Sequence, residues 1–250
     1  MGEAGVLVVT GGARGIGAAI CELAAEYGYD VVVNYAADDL AAETVADRVR
    51  AKGRRCVTSR ADVSNEDEVL ALFDAAVALG PLTGLVNNAA ITGNTPGRLD
   101  EQDAKAFRRV LDVNVTGTFL CAREAVRRMS TRYGGDGGTI VNISSTAART
   151  ASANEWVHYA ASKAAVETMT VGLAQEVARE GIRVNAVAPG TVETGLHAAA
   201  GMPDRPQRLA PSIPLGRPGL PEEVAEAVLW LLSARSSYAV GAVLTVGGGR

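Results

Sequence analysis

Short runs of apolar, largely β-branched residues alternate with longer stretches of mixed apolar and polar positions along the whole chain. The apolar runs fall at residues 6–10, 30–35, 54–58, 84–87, 139–143, 183–188 and 242–246. Most lack a polar–apolar alternation, the pattern of strands covered on both faces. Helical spacing fills the intervals at 15–27, 40–52, 65–79, 103–130, 156–180 and 221–233. Two starts carry helix-entry chemistry. Ser64 precedes Glu66, Asp67 and Glu68, as an N-cap followed by acids that suit the helix dipole. Pro221 precedes Glu222 and Glu223, with proline in the first turn. Repeated strand–helix–strand units call for right-handed crossovers, so the pattern predicts an α/β doubly wound parallel sheet of about seven strands with helices on both faces. Residues 134–138 read as a glycine-rich turn. Residues 191–220 hold five prolines and no strand pattern, as a long functional loop would. Without a linker or repeat, residues 1–250 read as one domain that contains this loop.

Composition narrows the function classes. The 250 residues are 48% hydrophobic and 21% charged, with a net charge of −4 and a pI near 5.3. That is a globular balance with no concentrated cationic face, which argues against a nucleic-acid partner. Cys21, Cys56 and Cys121 are too widely spaced for a disulfide framework or a thiolate zinc site. With two histidines, His158 and His197, an imidazole-based metal site is not expected. The acidic start at Glu3 is unlike a signal peptide, and no apolar stretch reaches the roughly 18 residues of a membrane helix. The expectation is a cytoplasmic protein.

The first predicted strand runs into Thr10-Gly11-Gly12-Ala13-Arg14-Gly15-Ile16-Gly17 and then a helix. Glycines there allow a tight turn and close approach of backbone N–H groups and a helix N-terminus to a pyrophosphate. The spacing is neither GxGxxG nor a Walker loop. It resembles the cofactor motif of the short-chain dehydrogenase/reductase family, and five further motifs follow in that family's order. Asp62-Val63 resembles its adenine contact. Asn87-Asn88-Ala89-Ala90 is similar to its Asn-Asn-Ala-Gly run, with Ala90 in place of glycine. Asn114 falls where the family keeps a catalytic asparagine. Ser144-Ser145 precedes Tyr159-xxx-Lys163, and Pro189-Gly190 precedes the substrate loop.

The resemblance implies a Rossmann-type oxidoreductase that moves a hydride between a nicotinamide cofactor and a secondary alcohol or carbonyl compound. Two alternatives are a 3-oxoacyl-[acyl-carrier-protein] reductase and a non-catalytic nicotinamide redox sensor. Tyr159 and Lys163, four apart on a helix, share one face. A phenol with a pKa near 10 is a poor base, and a neighbouring ammonium in a hydrogen-bonded, partly wet setting would lower it. Ser145, fourteen residues before Tyr159, is taken over Ser144 as the hydroxyl that holds the substrate oxygen. Asn114 would hold a water that links Lys163 to solvent. By the same resemblance the cofactor contacts are Gly11, Arg14, Gly15, Ile16, Gly17, Asn34, Tyr35, Asp62, Val63, Asn88, Ala89, Tyr159, Lys163, Pro189, Gly190, Thr191 and Thr194.

An acid after the second strand would accept the ribose hydroxyls of NAD, but Tyr35 stands there and Arg14 lies in the turn. NADP(H) is therefore preferred, with NAD(H) an option that nearby Asp38 and Asp39 keep open. The substrate pocket is expected along residues 90–94, 146–156 and 191–220. Arg205, Arg208 and Arg217 in the last segment read mainly as solvated side chains, with an anionic substrate as the alternative. Near the C-terminal strand, Gly247 replaces the family's usual aspartate. The helices at 103–130 and 156–180 resemble those that form dimers and tetramers, so a homo-oligomer is expected.

Overall fold

The computed structural model describes residues 5–93 and 96–250; of the expected pocket residues, Asn94 lies outside these. Seven strands form one parallel sheet: β1 (Val6–Val9), β2 (Asp30–Tyr35), β3 (Cys56–Arg60), β4 (Leu82–Asn87), β5 (Gly138–Ile143), β6 (Ile182–Pro189) and β7 (Val243–Val246). Their order is β3-β2-β1-β4-β5-β6-β7. The chain reverses direction across the sheet between β1 and β4, and there the ends of the strands part to leave a crevice.

The helices are α1 (Gly15–Glu26), α2 (Asp39–Ala51), α3 (Glu66–Leu79), α4 (Ala104–Leu111), α5 (Gly117–Met129), α6 (Ala147–Thr150), α7 (Val157–Val177), α8 (Gly195–Ala199), α9 (Arg205–Leu209) and α10 (Pro221–Leu232). Two apolar layers explain why the strands are apolar at consecutive positions. Leu7 and Val9 of β1 pack with Ile20, Val45 and Val228 on one face, while Val6 and Val8 pack with Leu72, Leu120 and Val177 on the other. All four β1 side chains are fully buried, so neither face tolerates a polar residue without loss of hydrophobic stabilisation.

Three sequence expectations are corrected. The helix expected over 103–130 is divided by a π-turn at Asp112–Thr116, which widens the coil and brings Asn114 against the loop after β4. The α3 cap is Asn65, whose Oδ1 accepts from Asp67 N and Glu68 N, while Ser64 donates to Asp62 at 2.7 Å. The segment 191–220 is not structureless. It carries α8 and α9, and Val192 pairs with Gly219 at its base.

Candidate active site

The glycine turn is shaped by close backbone approach. Gly11 and Gly15 sit at φ of 61° and 54°, a region that glycine enters without steric cost. Asn34 braces the turn from below. Its Oδ1 accepts from Gly11 N at 3.2 Å, and its Nδ2 donates to Ser59 O and Ala61 O at 3.2 and 3.0 Å. Asn88 braces it from β4, with Nδ2 donating to Thr10 O and Gly11 O at 2.9 and 3.0 Å. A Cβ on Gly17 would stand 2.3 Å from Gly11 O. Gly17 and Asn34, expected to touch a cofactor, support the turn itself through these contacts. Gly17→Ala is expected to destabilise the protein by about 1–3 kcal/mol and to weaken NADPH binding at least tenfold. A thermal melt and a fluorescence titration check this, and an unchanged titration would refute it.

The crevice beyond the turn holds about 410 Å³, within the range of small-molecule pockets. Gly11, Arg14, Gly15, Ile16, Tyr35, Asn88, Ala89, Tyr159, Lys163, Pro189, Gly190, Thr191 and Thr194 line it, as does Ser145. Asp62 and Val63 do not line it, contrary to expectation. Asp62 accepts from Arg109 Nη2 at 2.6 Å and from Ser64 N and Oγ, and Val63 is packed beneath Gly117. Arg60, not among the sequence candidates, lies beside the Tyr35 edge without lining the crevice itself. Register pairs it with Tyr35 across β2 and β3, and its Nε donates to Ala36 O at 3.3 Å. The signal was its place at the C-terminal end of the strand beside β2. Asp38 lines the crevice but its Oδ1 caps α2 by accepting from Ala41 N at 3.0 Å. Asp39 accepts the Tyr35 phenol. Gly247 also finds a reason, because its own Cβ would stand 2.9 Å from Arg250 O, and the backbone of Gly190 lies against its Cα. The two backbones touch there, and residues 247–250 turn back so that Arg250 reaches the crevice.

The chemistry-bearing side chains come from β5 and α7. Ser144 and Ser145, beyond the end of β5, both reach the crevice wall, but the Ser144 hydroxyl is engaged by Glu167, donating to its Oε1 at 2.8 Å. Burial raises the Tyr159 phenol above its ordinary value of 10.0; the hydrogen-bonded Ser145 hydroxyl and then the charge of Arg205 pull against it. Lys163 lies with its Nζ 5.7 Å from the Tyr159 ring centroid and donates to Ile143 O at 2.7 Å. It is 3% exposed, and burial pushes its ammonium down to about 8. The partly wet lysine expected from the sequence is thus a dry one. For the phenol, burial outweighs the two groups that lower it.

Asn114 belongs to the same cluster. It is fully buried, with Oδ1 accepting from Ile91 N and Nδ2 donating to Ile91 O and Ser162 Oγ, all at 2.9 Å. Ser162 Oγ in turn donates to Tyr159 O at 2.7 Å. Both amide hydrogens are committed, so the side chain positions the Ile91 segment and the Tyr159 turn of α7.

His158 is buried beside Tyr159 with its Nε2 2.7 Å from Thr92 O, and forms part of the wall's support. Among the described residues no cluster of His, Cys, Asp or Glu could hold a metal ion, and none of their helices is long and apolar enough to cross a membrane. The residues fit a dinucleotide. A cradle that a Cβ at Gly11 or Gly15 would narrow opens at the N-terminus of α1, where free N–H groups and the helix dipole favour phosphate.

Comparison with known proteins agrees with this geometry. The family model described as enoyl-(acyl carrier protein) reductase matches residues 11–250. An uncharacterized oxidoreductase of Escherichia coli (strain K12) is 47% identical over 98% of this chain and 99% of its own. A cis-4-hydroxycyclohexanecarboxylate dehydrogenase of Sinomonas cyclohexanicum is 45% identical, with 100% and 98% covered. A crystal structure of a short chain dehydrogenase from Burkholderia cenocepacia J2315 in complex with NADP superposes with a TM-score of 0.90 at 32% identity, covering 99% of this chain and 98% of that one. A strand order that opens a crevice beside a glycine turn, a Ser–Tyr–Lys cluster facing it and full-length likeness lead to one assignment: the chain is an NAD(P)-dependent oxidoreductase and belongs to the short-chain dehydrogenase/reductase family.

Proposed function

We propose that the protein interconverts a small secondary alcohol and its ketone with NADP(H), and that Tyr159 is the general acid and base. The observation that carries this is the convergence of Ser145, Tyr159 and Lys163 on the wall of the crevice that begins at the glycine turn. Gly11, Gly15, Ile16, Asn88, Ala89, Gly190, Thr191 and Thr194 would hold the dinucleotide along that wall. When bound, the nicotinamide gives a hydride to the carbonyl carbon or takes one from the alcohol carbon. Ser145 hydrogen-bonds the reacting oxygen. Tyr159 gives its proton to that oxygen in reduction and removes it in oxidation. A cationic nicotinamide beside the phenol would supply the lowering that the protein groups lack. Lys163 holds positive charge beneath the ring, and Asn114 fixes the backbone on either side. The relative that is 45% identical is named for a cyclic secondary alcohol, which supports a ring-sized substrate. Phe107, Phe119 and Val171 leave apolar surface on α4, α5 and α7, which we assign to contact between copies.

NADP(H) is favoured over NAD(H) by Arg14 and Arg60, which flank the Tyr35–Asp38 edge of the crevice, while Asp38 and Asp39 have partners of their own. Charge-assisted hydrogen bonds to a phosphate are worth about 1.5–3 kcal/mol each. Arg14→Gln and Arg60→Gln are each expected to weaken NADPH binding by roughly tenfold or more and NADH binding by less than about twofold. Fluorescence titration with both cofactors tests this, and equal binding of the two by the unaltered protein would exclude the preference. A panel of cyclic ketones, sugars and acetoacetyl thioesters, followed by NADPH absorbance, tests the reaction itself. Turnover of the thioesters alone would replace it with 3-oxoacyl-thioester reduction.

A further inference from the structure

Of the three arginines in 191–220, one differs from the others. Arg208 is exposed with its Nη2 3.4 Å from Met202 Sδ, and Arg217 pairs with Glu223 at the surface, its side chain 52% exposed. Arg205 is 14% exposed and lines the crevice. Its Nε and Nη2 donate to the two carboxylate oxygens of Glu155 at 3.2 and 2.5 Å. Its guanidinium lies 5.0 Å from the Trp156 ring centroid, a stacked arrangement that fixes the plane. Nη1 donates to no group among the described residues. Glu155 is not among the residues that line the crevice. Among the described residues, the acidic and basic side chains that line the crevice are Arg14, Asp38, Lys163, Arg205 and Arg250, and Asp38, the one side-chain carboxylate, lies at the Tyr35 end.

The segment that carries Glu155 and Trp156 is also the most strained in the described backbone. Ala151, Ser152 and Asn154 have φ of 62°, 46° and 61°, and non-glycine residues in that region cluster at ligand clamps.

We propose that Arg205 is a specificity-determining residue that anchors a carboxylate on the substrate, so that the substrate is a hydroxy or oxo carboxylic acid. This deepens, and rests on, the alcohol–ketone reading above. The Glu155 pair and the Trp156 ring hold the guanidinium plane and leave Nη1 as the donor available to a ligand. Burial and the charge of Arg205 hold His197, also on this wall, down to about 4, so the imidazole is neutral at pH 7 and Arg205 is the cation that the carboxylate meets.

The test compares 4-oxocyclohexanecarboxylate with its methyl ester, which differ in charge but hardly in shape. The unaltered enzyme with NADPH should prefer the acid at least tenfold in kcat/KM. In Arg205→Met that ratio should fall below two, with the loss mainly in KM. Glu155→Gln frees the second edge of the guanidinium and should keep or raise the ratio. A ratio near one in the unaltered enzyme, or equal losses in both variants, would overturn the assignment, the latter because it marks a merely structural pair. If neither compound is reduced, the alcohol–ketone reading fails for this ring, and binding decides on Arg205 independently. Cyclohexanecarboxylate, titrated in the presence of NADP⁺, should quench Trp156 saturably in a Trp230→Phe background and not when Arg205→Met is added. Absence of that quenching refutes the anchor.

Discussion

Tyr159→Phe should lower kcat by roughly a thousandfold, within the 10²–10⁴ range of positioned acid–base groups, while NADPH binding stays within about tenfold. The ring is half-buried in the first turn of α7 and its hydroxyl meets Ser145, so removal of one oxygen leaves the packing in place and removes the proton carrier. Because burial raises the phenol, oxidation, which needs the phenolate, should accelerate with rising pH, and reduction, which needs the phenol, should slow. Loss of the Arg205 charge removes one of the two groups that oppose this rise, so Arg205→Met should move the alkaline limb to higher pH. Steady-state rates in both directions across pH 6–10, beside a fluorescence titration, check each part. If turnover survives in Tyr159→Phe, the phenol has no part in proton transfer. If the unaltered enzyme binds cofactor and turns over nothing, a redox sensor becomes the better reading.

Lys163→Met should make the enzyme more stable and much less active. The ammonium is held at about 8 instead of 10.5 by burial, so the native state carries an electrostatic cost of up to about 3 kcal/mol below pH 8, at about 1.4 kcal/mol per pH unit. Loss of the hydrogen bond to Ile143 O offsets part of the gain, and a rise in Tm of a few degrees is expected at pH 7. The pH dependence gives the sharper check. Between pH 8 and 10.5 the unfolded chain binds more protons at this lysine than the native chain does, so stability contributed here rises with pH across that window. The rise should be absent from the difference curve of Lys163→Met. Activity should fall on the order of a hundredfold or more, since the phenol loses its neighbouring charge. A variant that melts lower at pH 7 and keeps the slope would show that the lysine is held charged without cost.

The two variants separate what folds the protein from what makes it an enzyme. Lysine at this position is opposed by the apolar packing around it and is useful only once a ligand shares the crevice. Buried polar groups of this kind are expected where a site departs from the rules that stabilise a core. Asn114 is the counterexample within the same cluster, because all of its amide hydrogens are satisfied and its burial supports the structure.

The apolar runs alone determined the layered parallel sheet, since only strands covered on both faces read as continuous valine and leucine at this length. The glycine turn and the Tyr159–Lys163 spacing were equally local, because a tight turn and a helix face are set within a few residues. Other properties depended on what lies across the fold. The sequence could not show that Asn34 and Gly17 support the turn, since their partners come from strand ends 23 or more residues away and from a backbone approach that no local pattern records. Nor could it show that Asn65 displaces Ser64 as a cap, that a π-turn aims Asn114 at Ile91, or that Lys163 is dry. Arg60 and Arg205 gained meaning only when the parallel register brought one beside Tyr35 and the substrate segment closed the other onto Glu155 and Trp156. Hydrophobic periodicity is a property of neighbours in sequence, whereas a side chain's charge state and partners follow from what tertiary packing excludes and brings near.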